Sequence, residues 1–68
     1  MKPTLNEVLE LKDFVSEVKT KNETATIVCA DQDEIDAALW LITEKYDIAY
    51  SVNEGTAGSL IIGFNYRG

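Results

Sequence analysis

The sequence predicts an α+β fold: one small domain over residues 1–68, with the element order α-β-α-β-β. Three observations carry this expectation. Two stretches repeat apolar residues at spacings of three and four, as amphipathic helices do. Three shorter stretches are rich in β-branched and aromatic residues or alternate apolar with polar, as strands do. A chain of 68 residues also has room for just one core.

The elements follow in order. Thr4 and Glu7 have capping-box spacing, with Pro3 just ahead. Leu5, Val8, Leu9, Leu11, Val15 and Val18 then recur at helical intervals, and Phe14 widens the stripe, so a first helix is expected from about Leu5 to Lys19. Thr20-Lys21-Asn22-Glu23 is polar and reads as a loop. Thr24–Ala30 (TATIVCA) is β-branched and too short for a helix; apolar or small groups on both sides predict a strand buried on both faces. Asp31 with Glu34 forms an acidic start signal, and Ile35, Ala38, Leu39, Ile42 and Tyr46 continue at spacings of three and four. A second helix is therefore expected from Gln32 to Lys45. Ile48, Tyr50 and Val52 alternate with Ala49, Ser51 and Asn53, giving a strand with one apolar face. Asn53–Gly58 is turn-rich, and Ser59–Tyr66 (SLIIGFNY) is the last and most apolar strand.

A strand–helix–strand run predicts a right-handed crossover. The short turn that follows predicts a hairpin. The most apolar strand, Ser59–Tyr66, reads as buried on both faces, and placing it in the centre gives a three-stranded mixed sheet of order 1-3-2, with both helices on one face.

Composition narrows the function classes. The net charge is −6, with twelve acids, six bases and no histidine. Residues 1–22 are balanced, whereas residues 23–54 hold eight acids against Lys45 alone. Such acidity argues against direct nucleic-acid or anionic-membrane contact and suits a basic protein partner. No apolar run approaches the roughly 20 residues of a membrane span, and the N-terminal residues lack a signal-peptide core. A cytoplasmic location is the default for a chain with one cysteine. That cysteine, Cys29, cannot form an internal disulfide, and without histidine it leaves no four-ligand zinc site. It sits in an apolar strand, beside acids that oppose thiolate formation, and reads as core. No Ser-His or Cys-His pair exists, so the chain is expected not to be an enzyme and to need no cofactor.

The candidate site lies on the second helix. At about 100° per residue, Asp33, Asp36, Glu44 and Asp47 fall within roughly 40° of Trp40, and the core stripe lies roughly 140° away. A tryptophan ringed by carboxylates combines a hot-spot side chain with the charge to steer a basic partner. The competing expectation is that Trp40 packs against the first helix. Asp31, Asp33, Glu34 and Asp36 do not satisfy a calcium loop, which needs glycine and glutamate where Asp36 and Ile42 stand. Gly55-Thr56-Ala57-Gly58-Ser59 lacks the lysine of a phosphate-binding loop and reads as a hairpin turn. Tyr46, Tyr50, Phe64 and Tyr66 read as core or as a dimer contact through an edge strand.

In size, acidity and lack of catalytic residues the chain resembles small inhibitor and takeover proteins encoded by phages and mobile elements. The resemblance implies a protein that blocks a machine by occupying a basic, often nucleic-acid-binding, surface. The expected function is accordingly a non-enzymatic acidic interaction module, an inhibitor or modulator anchored by Trp40. One alternative is a homo-oligomeric structural or assembly subunit, with a homodimer burying the open sheet face or an edge strand. Another is a small-ligand or divalent-metal sensor built on Asp31–Asp36.

Overall fold

A computed structural model describes residues 2–46 and 48–66 of the chain. Helix α1 spans Leu5–Glu10 and tightens into a 3-10 turn over Leu11–Asp13. Its start is a reciprocal capping box. The Glu7 N–H donates to Thr4 Oγ1 at 3.2 Å, and the Thr4 N–H donates to Glu7 Oε1 at 3.1 Å.

The helix then stops, well short of the expected Lys19. Glu17–Lys21 is instead a strand, β1, and it forms a hairpin with β2 (Thr24–Cys29). Val15 and Val18 continue a helical spacing, but this segment also holds Ser16 and Thr20, which are weak helix formers. As a strand it gains a full ladder against β2, with Val18 set opposite Ile27. The turn is Asn22–Glu23, and Asn22 adopts φ 57°, a left-handed conformation that asparagine tolerates. Tyr66 pins this turn from the far end of the chain. Its hydroxyl donates to the Asn22 carbonyl and its N–H to the Glu23 carbonyl, both at 2.9 Å.

Helix α2 (Gln32–Trp40) runs on through a π-helical turn, Leu41–Lys45. Strands β3 (Tyr50–Glu54) and β4 (Leu60–Asn65) form the second hairpin. The connection is tight. The Gly55 N–H donates to the Ser59 carbonyl at 2.8 Å, and Ala57 and Gly58 have φ of 56° and 78°. A Cβ at Gly55 would stand 2.5 Å from Ser59 Oγ and 2.9 Å from Ile61 Cδ1, so any larger residue here must displace both side chains.

The sheet is four-stranded, in the order β1-β2-β4-β3, and every pairing is antiparallel. This corrects the expected three-stranded mixed sheet and the α-β-α-β-β order. An extra strand joins at one side. β4 also separates β2 from β3, so these two strands run in the same direction without pairing.

Paired residues share a face of the sheet. One row across it reads Val18–Ile27–Ile62–Val52. Ile27 and Ile62 are fully buried there, beneath Val8 and Leu11 from the α1 segment and Ile35, Ala38 and Ile42 from the α2 segment. Both helical segments thus cover this face. On the opposite face Thr24 is exposed, and Thr26, Val28 and Ile61 are half-buried. The expected double burial of β2 and β4 is therefore not found. No described helix is long and apolar enough to cross a membrane.

Candidate protein-binding surface

The acidic start of α2 divides into two groups. Asp31 and Glu34 hold the fold together. The Asp31 carboxylate accepts from the Glu34 N–H at 2.9 Å. Glu34 Oε1 accepts from Ser16 Oγ and from the Ala30 N–H, each at 2.9 Å, tying the entry to β1 and the exit from β2 to the helix. Asp33 and Asp36 are exposed, and Asp36 accepts from Gln32 Nε2 at 2.8 Å.

Trp40 is 63% exposed, the most exposed of the large apolar residues described. The expectation that it packs against the first helix is thereby overturned. The buried stripe of Ile35, Ala38 and Ile42 anchors α2 to the sheet, and Trp40 lies on the far side. Helical spacing sets Asp36 four residues before it and Asp33 seven before it, on one face. Glu44 is also exposed, but it stands in the π-helical turn, whose wider winding reduces the rotation per residue. It therefore falls on the other side of Trp40 from where an ideal helix sets it. Asp47 lies outside the described residues.

Lys45, the single cation of residues 23–54, turns away from this face. Its Nζ sits 3.6 Å from Glu7 Oε2 and 5.6 Å from the Tyr46 ring centroid. Tyr46 is buried and donates to the same carboxylate oxygen at 3.2 Å. The Thr4 N–H, opposed by partial burial and aided by Tyr46 and Lys45, holds the Glu7 carboxyl below the ordinary glutamate range. Burial, then the Glu7 charge and hydrogen bond, push Tyr46 up to about 12. The pairing draws the nearest lysine in sequence away from Asp33, Asp36 and Glu44.

The other candidates resolve simply. Among the described residues no group of three or more His, Cys, Asp or Glu side chains is placed to hold a metal ion. Cys29 is fully buried, and burial, then Glu34 and Asp31, push its thiol upward, against reactivity. The glycine-bearing loop is the β3–β4 turn, and its Ser59 hydroxyl is engaged with the Thr56 carbonyl at 2.7 Å.

Sequence reasoning missed one feature. Tyr50 and Val52 lie on the helix-covered face yet are 43% and 44% exposed, at the edge of the sheet where β3 pairs with β4 alone. The alternation of Tyr50 and Val52 was the available signal, and it reads equally well as a strand facing the core. The chain matches no family model, no curated protein and no solved structure in these comparisons.

Proposed function

We propose that the chain is a non-enzymatic interaction module that binds a basic surface of a partner protein through the exposed face of α2. One observation carries this reading: Trp40 stands 63% exposed on the helix face that also bears Asp33 and Asp36, with the nearest lysine in sequence engaged by Glu7. A large aromatic side chain left in water forgoes about 2 kcal/mol of burial, which a partner can supply. The exposed carboxylates select a cationic partner and set its orientation. In this reading the chain acts as an inhibitor or modulator by covering a basic, nucleic-acid-binding surface.

The test is affinity capture from nuclease-treated lysate with immobilised wild type and Trp40→Ala. The expected result is a basic protein retained by wild type at ~0.1 M salt, shed at ~0.5 M as screening shortens the range of charge attraction, and lost with Trp40→Ala. Equal capture by both proteins would remove Trp40 from the interface.

A homo-oligomeric assembly is the second reading, favoured by the bare edge of β3. Light scattering at micromolar concentration separates the two, since a strict monomer counts against assembly.

A further inference from the structure

The outer edge of β3 is a second exposed element of the molecule, and its chemistry indicates what form a partner takes. Hydrogen bonds in an antiparallel ladder alternate between sides of a strand. The Tyr66 N–H to Glu23 carbonyl bond and the Gly55 N–H to Ser59 carbonyl bond fix that alternation on both sides of β4. Even-numbered residues of β4 face β2, and odd-numbered ones face β3. Ser51 and Asn53 therefore bond to Gly63 and Ile61, while Tyr50, Val52 and Glu54 turn their N–H and C=O groups outward. The same three residues carry their side chains on the helix-side face, and all three are exposed. The edge has no lysine, no proline and no covering element among the described residues.

Leu11 and Phe14 line a cleft with Leu41, so the α1 segment occupies one flank of α2. β3 itself carries the exposed Glu54, and residues 23–54 hold eight acids against Lys45 alone, so the charge of this edge suits a basic strand.

We infer that an extended, basic segment of a partner protein adds to β3 as a fifth strand. This rests on the interaction reading above and names the partner's form. Its backbone pairs with Tyr50, Val52 and Glu54. Its apolar side chains lie on Val52 and Tyr50, and its lysines or arginines meet Glu54. A second copy of this chain is the disfavoured occupant. A two-fold axis at Val52 would bring together two chains of net charge −6, each presenting a β3 edge with Glu54 and no lysine.

The test is NMR hydrogen exchange and titration with an end-blocked peptide alternating lysine and valine. A peptide of identical composition, with lysines in one block and valines in another, serves as control. The alternating peptide is expected to slow exchange of the Tyr50, Val52 and Glu54 amides at least tenfold, leave the Val18 and Thr20 amides of β1 unchanged, and bind at least tenfold tighter than the block peptide. Val52→Pro removes an outward N–H without touching the β4 ladder and is expected to weaken binding at least tenfold. Equal binding of both peptides without protection of β3 would overturn strand addition and leave the acidic-face reading intact. Failure of both cationic peptides to bind would overturn both readings. Protection of the β3 amides without peptide, together with a doubled mass, would give the edge to a second copy.

Discussion

The two outer strands of the sheet are equal in length and opposite in character. β1 is Glu-Val-Lys-Thr-Lys, with charged side chains on the open face and Lys19 3.8 Å from Glu17. Its inward Val18 packs against the core, backed by the α1 segment. β3 is Tyr-Ser-Val-Asn-Glu, and all five residues are exposed. Lysines along an edge deter further pairing, whereas an apolar edge without them invites it. The row Val18–Ile27–Ile62–Val52 shows the same asymmetry in burial, half-buried at one end and 44% exposed at the other. The helical segments cover the centre of the sheet, and the face of β3 is left exposed. One flank of the molecule is closed and the other is open.

The largest expected effect comes from removing what both edges share. Ile27 is fully buried and faces Val18 on one side and Ile62 on the other. Ile27→Ala should cost about 2–5 kcal/mol, close to the roughly 3–5 kcal/mol a domain of this size holds. Urea denaturation should then find a largely unfolded chain, and a loss under about 1 kcal/mol would contradict the packing described.

The two turns separate the edges. Gly55→Ala forces a Cβ to 2.5 Å from Ser59 Oγ and 2.9 Å from Ile61 Cδ1. A cost of about 1–3 kcal/mol is expected, with faster amide exchange in β3 than in β1. Asn22→Ala, at φ 57°, should cost about 1 kcal/mol and loosen β1 instead. Identical exchange patterns in the two variants would mean that the edges do not differ.

A smaller effect is set by pH. Because the folded state holds Tyr46 up to about 12, against an ordinary value of 10.0, folding favours its neutral form. The stabilisation is complete below pH 10 and is lost as pH rises towards 12. Melting temperature should fall over that window in wild type more steeply than in Tyr46→Phe. Glu7 behaves oppositely. Its carboxyl is lowered in the fold, so its contribution is present above the ordinary glutamate range and fades as pH falls through the folded value.

Much of the fold was legible in sequence, and the failures have physical reasons. The starts of α1 and α2 were readable because Thr4–Glu7 and Asp31–Glu34 place capping side chains at fixed spacing. Thr24–Cys29 and Leu60–Asn65 were readable as strands because burial demands apolar residues there. β1 was hidden because Val15 and Val18 fit a helical interval by coincidence, and its stability comes from pairing with β2 across the Asn22–Glu23 turn. Asn22 was the local clue, since a residue suited to positive φ marks a hairpin turn. The far-side position of Trp40 followed from helix geometry alone. The bare face of β3 did not, since alternation cannot show how far a helix extends over a sheet.

Trp40 is the single tryptophan of the chain, so its fluorescence reports the exposed face of α2 directly. The decisive measurement is acrylamide quenching of that emission, free and with the captured basic partner protein bound. The account predicts quenching in the free protein close to that in urea, and a several-fold drop with a blue shift when the partner binds. Strong shielding in the free protein, or a bound partner that leaves the emission unchanged, would contradict it.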